Sequence, residues 1–100
     1  MVATDVKIPE AFQPDIERAV KILKDGGCTE VFLFGSLAEG CSRTDSDIDL
    51  AVRGCPPENF FKLYGDLLWG LKHKFDLVDL EVKHPFTEYL IREGDMLRLD

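Results

Sequence analysis

Hydrophobic and polar positions alternate along this chain in two different periods, and the changes of period mark its elements. Residues 1–13 show no clear periodicity and read as a leader. From Pro14, apolar residues recur at Ile16, Ala19, Val20 and Leu23, the i, i+3, i+4, i+7 spacing of one buried helical stripe. Pro14 and Asp15 suit a helix start, and Gly26-Gly27 suits its end. Val31-Phe32-Leu33-Phe34 is a short continuous apolar run, rich in β-branched and aromatic residues, and predicts a buried strand. It stops at Gly35-Ser36, and residues 37–46 read as a turn or short helical segment plus loop. Ile48, Leu50 and Val52 then alternate with Asp47, Asp49 and Ala51, a period-2 strand with one apolar face and one face bearing carboxylates. A long helix is predicted over about 57–73. Phe60, Leu63, Tyr64, Leu67, Leu68 and Leu71 line one face, and Phe61, Gly65 and Trp69 extend the arc to a neighbouring one. Residues 77–82 predict a third strand, Pro85 to Arg92 a short helix closed by Gly94, and Met96 to Leu99 a last edge strand.

The order α-β-β-α-β-α-(β), with a long helix between the second and third strands, suits a crossover connection within one sheet. The expected architecture is α+β, an α/β sandwich. It has a small mixed sheet of three to four strands, with helices mainly on one face. With 100 residues, one domain spanning 1–100 is expected. A chain of this size has room for a modest core but not for a nucleotide pocket, a substrate domain and a lid together.

Composition narrows the function classes. Twelve Lys and Arg stand against nineteen Asp and Glu, a net charge of −7, so binding to DNA or RNA through the overall field is not expected. The surplus of carboxylates suits a divalent cation or a basic partner, and its ordinary meaning is solubility. Cys28, Cys41 and Cys55 are odd in number and lack C-x-x-C spacing, which favours free thiols in a reducing cytosol. No basic-then-apolar leader and no membrane-length apolar run are visible, so a cytoplasmic protein without membrane association is expected. His73 and His84 are isolated among polar neighbours and receive no role.

The candidate chemistry lies between residues 34 and 50. Asp47 and Asp49 are two apart on a strand, so both carboxylates leave the same face. Side by side they repel each other unless a cation sits between them. Mg²⁺ takes one or two carboxylates together with phosphate oxygens and water. Gly35 permits close approach of a phosphate to the backbone, and Ser36 and the N–H groups of the turn can donate to phosphate oxygens. Two other motifs fail. Gly35…Gly40-Cys41-Ser42 has P-loop spacing but places Cys41 where Lys is required. Asp45-x-Asp47-x-Asp49 begins like a calcium loop but continues with Leu50 in place of Gly, and Pro56 stands where the bidentate Glu belongs.

Gly35-Ser36, ten residues, then Asp47-Ile48-Asp49-Leu50 resembles the signature of the DNA polymerase β-like nucleotidyltransferase superfamily, in particular its minimal bacterial and archaeal members. The resemblance runs from about residue 14 to 97. It implies a third carboxylate on a later strand, where Asp76 matches by pattern. Asp79 would point to the opposite side and reads as an exposed or capping acid. It also implies transfer of a nucleoside monophosphate from ATP or another NTP to a hydroxyl with release of pyrophosphate, with AMP from ATP as the expected case. Asp47, Asp49 and Asp76 would hold two Mg²⁺ ions, Asp76 would help deprotonate the hydroxyl, and Gly35 and Ser36 would hold the β- and γ-phosphates. The implied partner is a small helical HEPN-class protein, as in toxin–antitoxin pairs in which the enzyme adenylylates its partner. Phe61 and Trp69 offer a contact surface, or else Trp69 covers the sheet or the C-terminal helix. One departure stands out: Glu39 occupies a position that is often basic in the family, and Arg43 could supply the charge from the same loop. Two alternatives compete with the enzyme: a catalytically weak, antitoxin-like subunit that neutralises a helical partner by binding alone, and a metal-free structural domain.

Overall fold

The computed structural model describes residues 8–40, 46–93 and 96–100; Cys41, Arg43 and Gly94 lie outside them. Helix α1 (Gln13–Asp25) buries Ile16, Ala19 and Leu23 along the stripe its spacing predicts. Gly27, with φ of 103°, turns the chain into strand β1 (Glu30–Phe34). A short helix α2 (Gly35–Glu39) follows without a linker, anchored by the fully buried Leu37. Strand β2 (Ile48–Arg53) returns antiparallel to β1, pairing Glu30 with Arg53 and Phe34 with Asp49. A 3₁₀ turn (Pro57–Asn59) and helix α3 (Phe60–Gly70) cross over to strand β3 (Phe75–Asp79), which lies parallel to β2. Helix α4 (Pro85–Glu93) precedes the two-residue strand β4 (Leu97–Arg98), antiparallel to β1. The mixed sheet has the order β3-β2-β1-β4.

Strand periodicity decides which residues meet which layer. Val31, Leu33, Ile48, Leu50 and Val52 face α1 and α3, where they meet Ile16, Leu23, Leu63 and Leu67 in the main core. Each such fully buried aliphatic side chain is worth roughly 1.5–3 kcal/mol of transfer free energy. The opposite parity, Phe34 and Ala51 with Phe32 and Val78, forms a second, smaller cluster with Leu80, just after β3, and with Leu90 of α4. Asp49 of β2 and Asp76 of β3 stand on this second face, which α4 covers only in part. The edge at β4 is tied down by Asp100, whose carboxylate accepts from the Val31 N–H, Lys24 and Arg98. These bonds override the penalty of its burial and hold Asp100 far below the usual carboxylate range.

Four sequence-based expectations need correction. Helix α3 begins at Phe60, after the 3₁₀ turn, and stops at Gly70 instead of reaching 73. The N–H groups of Lys72 and His73 both go to Asp15 Oδ2, at 2.9 and 2.8 Å, so they are lost to the helix ladder. Strand β3 starts at Phe75 and ends at Asp79, two to three residues earlier than predicted. The Asp79 carboxylate accepts from the Glu81 N–H at 2.9 Å and turns the chain there. His73 is not an isolated surface residue: its Nδ1 lies 2.7 Å from Asp15 Oδ2, and its ring packs on Phe12 with centroids 4.3 Å apart. Cys28 and Cys55 are joined in a disulfide instead of standing as free thiols. They extend the β1–β2 register by one pair beyond Thr29, and this antiparallel pairing brings together two cysteines separated by 27 positions.

Candidate active site

Phe34 is extended at the end of β1, and Gly35 reverses into the left-handed region with φ of 76° to open α2 at once. An L side chain is strained there, and a Cβ at Gly35 would overlap the Asp49 carboxylate. The absent side chain therefore lets the turn lie directly against Asp49. Ser36 Oγ stands 3.4 Å from Ser46 Oγ, which links the turn to the segment entering β2.

Asp47 precedes β2 and is exposed; Asp49, the second residue of β2, is half-buried. Asp76, the second residue of β3, is the register partner of Asp49 on the neighbouring parallel strand. In-register neighbours point to the same face, so the three acids converge at one end of the sheet. Their coupling is electrostatic as well as geometric. Burial is the largest cause that pushes the Asp49 carboxyl up to about 6, followed by the charges of Asp76 and Asp47 and a hydrogen bond with Asp76. Asp79 pairs with Val52, three residues further along the strands and on the opposite parity. Its carboxylate serves the turn after β3.

The donor set suits a hard divalent cation: oxygen ligands only, with one carboxyl whose negative charge is disfavoured by burial and by its acidic neighbours. Among the described residues, no three His, Cys, Asp or Glu side chains form a ready-made metal cage. Mg²⁺ does not require one. It keeps water and takes substrate phosphates together with one or two carboxylates, so this arrangement fits a metal that arrives with a triphosphate.

Beside the acids, an open cavity of about 400 Å³ is lined by Asp47, Asp76, Lys72, His73, Phe75 and Leu68. The approach to β3 that forms its wall is held by Asp15. Burial alone would raise the Asp15 carboxyl, but the His73 side chain and the two backbone donors override it and hold it below its ordinary range. Asp15, Lys72 and His73 were not legible as site residues. Their contacts cross 57 and 58 positions of sequence and leave no local pattern. Glu39 ends α2 and is exposed.

No curated protein sequence matches this chain. Among solved structures, a chain assigned as a minimal nucleotidyltransferase is 24% identical, with a TM-score of 0.67, over 97% of this chain and 99% of that one. A toxin–antitoxin crystal structure with AMP-PNP is 25% identical, with a TM-score of 0.67, over 85% of this chain and 72% of its own. The tri-AMPylated Shewanella oneidensis HEPN toxin in complex with MNT antitoxin gives 24% identity and a TM-score of 0.62, over 88% and 71%. At 24% identity the likeness shows the fold alone. The family model described as polymerase beta, nucleotidyltransferase matches residues 17–98, which takes in all three acids and the glycine–serine turn. This chain belongs to the polymerase β nucleotidyltransferase family.

Proposed function

We propose that this chain transfers AMP from ATP to a hydroxyl group of a partner protein, with release of pyrophosphate and in dependence on Mg²⁺. The observation that carries this reading is the meeting of Asp47, Asp49 and Asp76 against the Gly35 turn, with the Asp49 carboxyl pushed up to about 6 by burial and by the other two acids. Asp47, Asp49 and Asp76 would hold the Mg²⁺ ions. When bound, these supply the positive charge that offsets the triphosphate and the charge developing on the reacting oxygens. Gly35 lets the β- and γ-phosphates approach the backbone, and the Ser36 hydroxyl and the N–H groups of the turn donate to them. The acceptor hydroxyl forms a bond to the α-phosphorus as the bond to the pyrophosphate oxygen breaks, and Asp76 takes the hydroxyl proton. Most of the rate enhancement on this reading comes from positioning and charge neutralisation.

The solved toxin–antitoxin relatives, one with AMP-PNP and one with an AMPylated HEPN toxin, support a HEPN-class protein as the partner. The apolar residues exposed on α3 also favour a second reading, in which the chain neutralises that partner by binding and transfers little. Incubation with Mg²⁺, the HEPN-class protein of the same genome and ATP labelled at the α- or γ-phosphate separates the two. Transfer predicts that only the α-label reaches the partner and that Asp47→Asn abolishes it. A partner left unlabelled in a stable complex favours the binding subunit.

A further inference from the structure

Four large apolar or aromatic residues of α3 stand in solvent: Trp69 is 93% exposed, Phe61 87%, Leu68 61% and Tyr64 37%. Single exposed apolar residues are ordinary, but these lie at i, i+3, i+7 and i+8 and share one face of one helix. Gly65 sits in the middle of that face. A Cβ there would meet nothing within 4 Å, so the position is a shallow notch between aromatic rims. Glycine inside a helix weakens it, and here no neighbour among the described residues needs the space. Trp69 does not cover the sheet or the C-terminal helix.

The face is continuous with the candidate active site. Leu68 belongs to the exposed stripe and also lines the cavity that contains Asp47 and Asp76. A protein seated over Phe61, Gly65 and Trp69 therefore presents its neighbouring residues to the acids. A second copy of this chain would bring another net charge of −7 against a chain of the same sign, which argues against self-association there.

We propose that the outer face of α3, centred on Gly65 and rimmed by Phe61 and Trp69, docks the acceptor protein so that its target hydroxyl enters the cavity at Asp76. This rests on the transfer reading for the occupant and names the surface that selects it. The face is large and apolar enough to supply anchors of the kind that dominate protein interfaces.

The test uses the HEPN-class protein of the same genome, with binding measured by calorimetry and transfer by α-labelled ATP. Phe61 and Trp69 are exposed, and neither lines the cavity at Asp47 and Asp76; the Phe61 ring meets the Phe60 ring edge-on. Phe61→Ala and Trp69→Ala are each expected to weaken partner binding at least tenfold while leaving Mg·ATP stabilisation of the chain unchanged. Asp47→Asn is expected to bind the partner like wild type and to transfer nothing. Trp69 is the single tryptophan, so 5-fluorotryptophan placed in this chain alone gives one ¹⁹F signal, which should shift on complex formation. Wild-type affinity in both alanine variants overturns the proposal, as does the absence of binding by the unmodified chain. A homodimer that Trp69→Ala dissociates, with transfer intact, also overturns it by assigning the face to self-association. Binding that depends on Phe61 and Trp69, without transfer by the wild type, supports the docking face and overturns the transfer reading.

Discussion

Asp49 concentrates the electrostatic conflict of the candidate site in a single residue. Its carboxyl is half-buried against Gly35 and beside two other acids, and its pKa stands at about 6 against an ordinary 3.8. A carboxyl that holds its proton more tightly in the folded state stabilises the fold below about pH 4, and that contribution is lost as pH rises through about 6. The shift is worth at most about 3 kcal/mol, and solvent screening reduces it to the order of 1–2 kcal/mol. In metal-free buffer, Asp49→Asn should therefore raise the melting temperature at pH 7.5 and lose that advantage at pH 4, while abolishing transfer. A destabilised Asn variant at pH 7.5 would mean that the three acids do not repel one another as described. Gly35→Ala should act in the opposite sense. It forces a left-handed alanine, costing about 1–2 kcal/mol, and drives a methyl group into the Asp49 carboxylate. Transfer should fall by about a hundredfold, since displacement of reacting groups by an ångström has that scale of effect, and single-turnover kinetics would measure it.

At the scale of elements, the site depends on three strand ends and on what fixes them. Antiparallel β1–β2 pairing sets the Gly35 turn beside Asp49, and parallel β2–β3 pairing sets Asp76 beside Asp49. Asp15 on α1 fixes the segment that leads into β3, through Lys72 and His73. Asp15→Ala would leave two backbone donors without their charged acceptor, at a cost of about 3 kcal/mol. The denaturant midpoint should fall accordingly, and Asp15→Asn, which keeps an acceptor oxygen, should fall less. Equal losses in the two variants would assign the effect to charge instead of to the lost acceptor. The strands were legible because alternation at Ile48, Leu50 and Val52 is a local signal, and the acids on the opposite parity came with it. The end of α3 was not, because Asp15 terminates it from 57 positions away. Nor was the Cys28–Cys55 disulfide, which depends on a strand register that spacing alone does not give. Phe12 lies in a stretch without periodicity, yet it is 1% exposed and packs on His73. The breadth of the apolar arc on α3 was visible, but only the packing shows that Leu63 and Leu67 face inward while Phe61 and Trp69 do not.

For the molecule as a whole, a four-stranded sheet with α1 and α3 on one side and α4 on the other leaves one end of the sheet open, and the three acids stand there. On the proposed reading, that open end would take a nucleotide with its metal, and the exposed side of α3 would receive the acceptor protein. The claim on which the rest depends is that Asp47, Asp49 and Asp76 hold Mg²⁺ with a triphosphate at Gly35 and Ser36. Thermal unfolding with ATP in the presence and absence of Mg²⁺ measures this most directly, because a ligand bound only by the folded state stabilises it by about 2.7 kcal/mol at a hundred times its Kd. The account predicts that ATP raises the melting temperature of the wild type only when Mg²⁺ is present, and that Asp47→Asn removes the effect. Equal stabilisation without Mg²⁺, or full stabilisation of the Asp47→Asn variant, would contradict it.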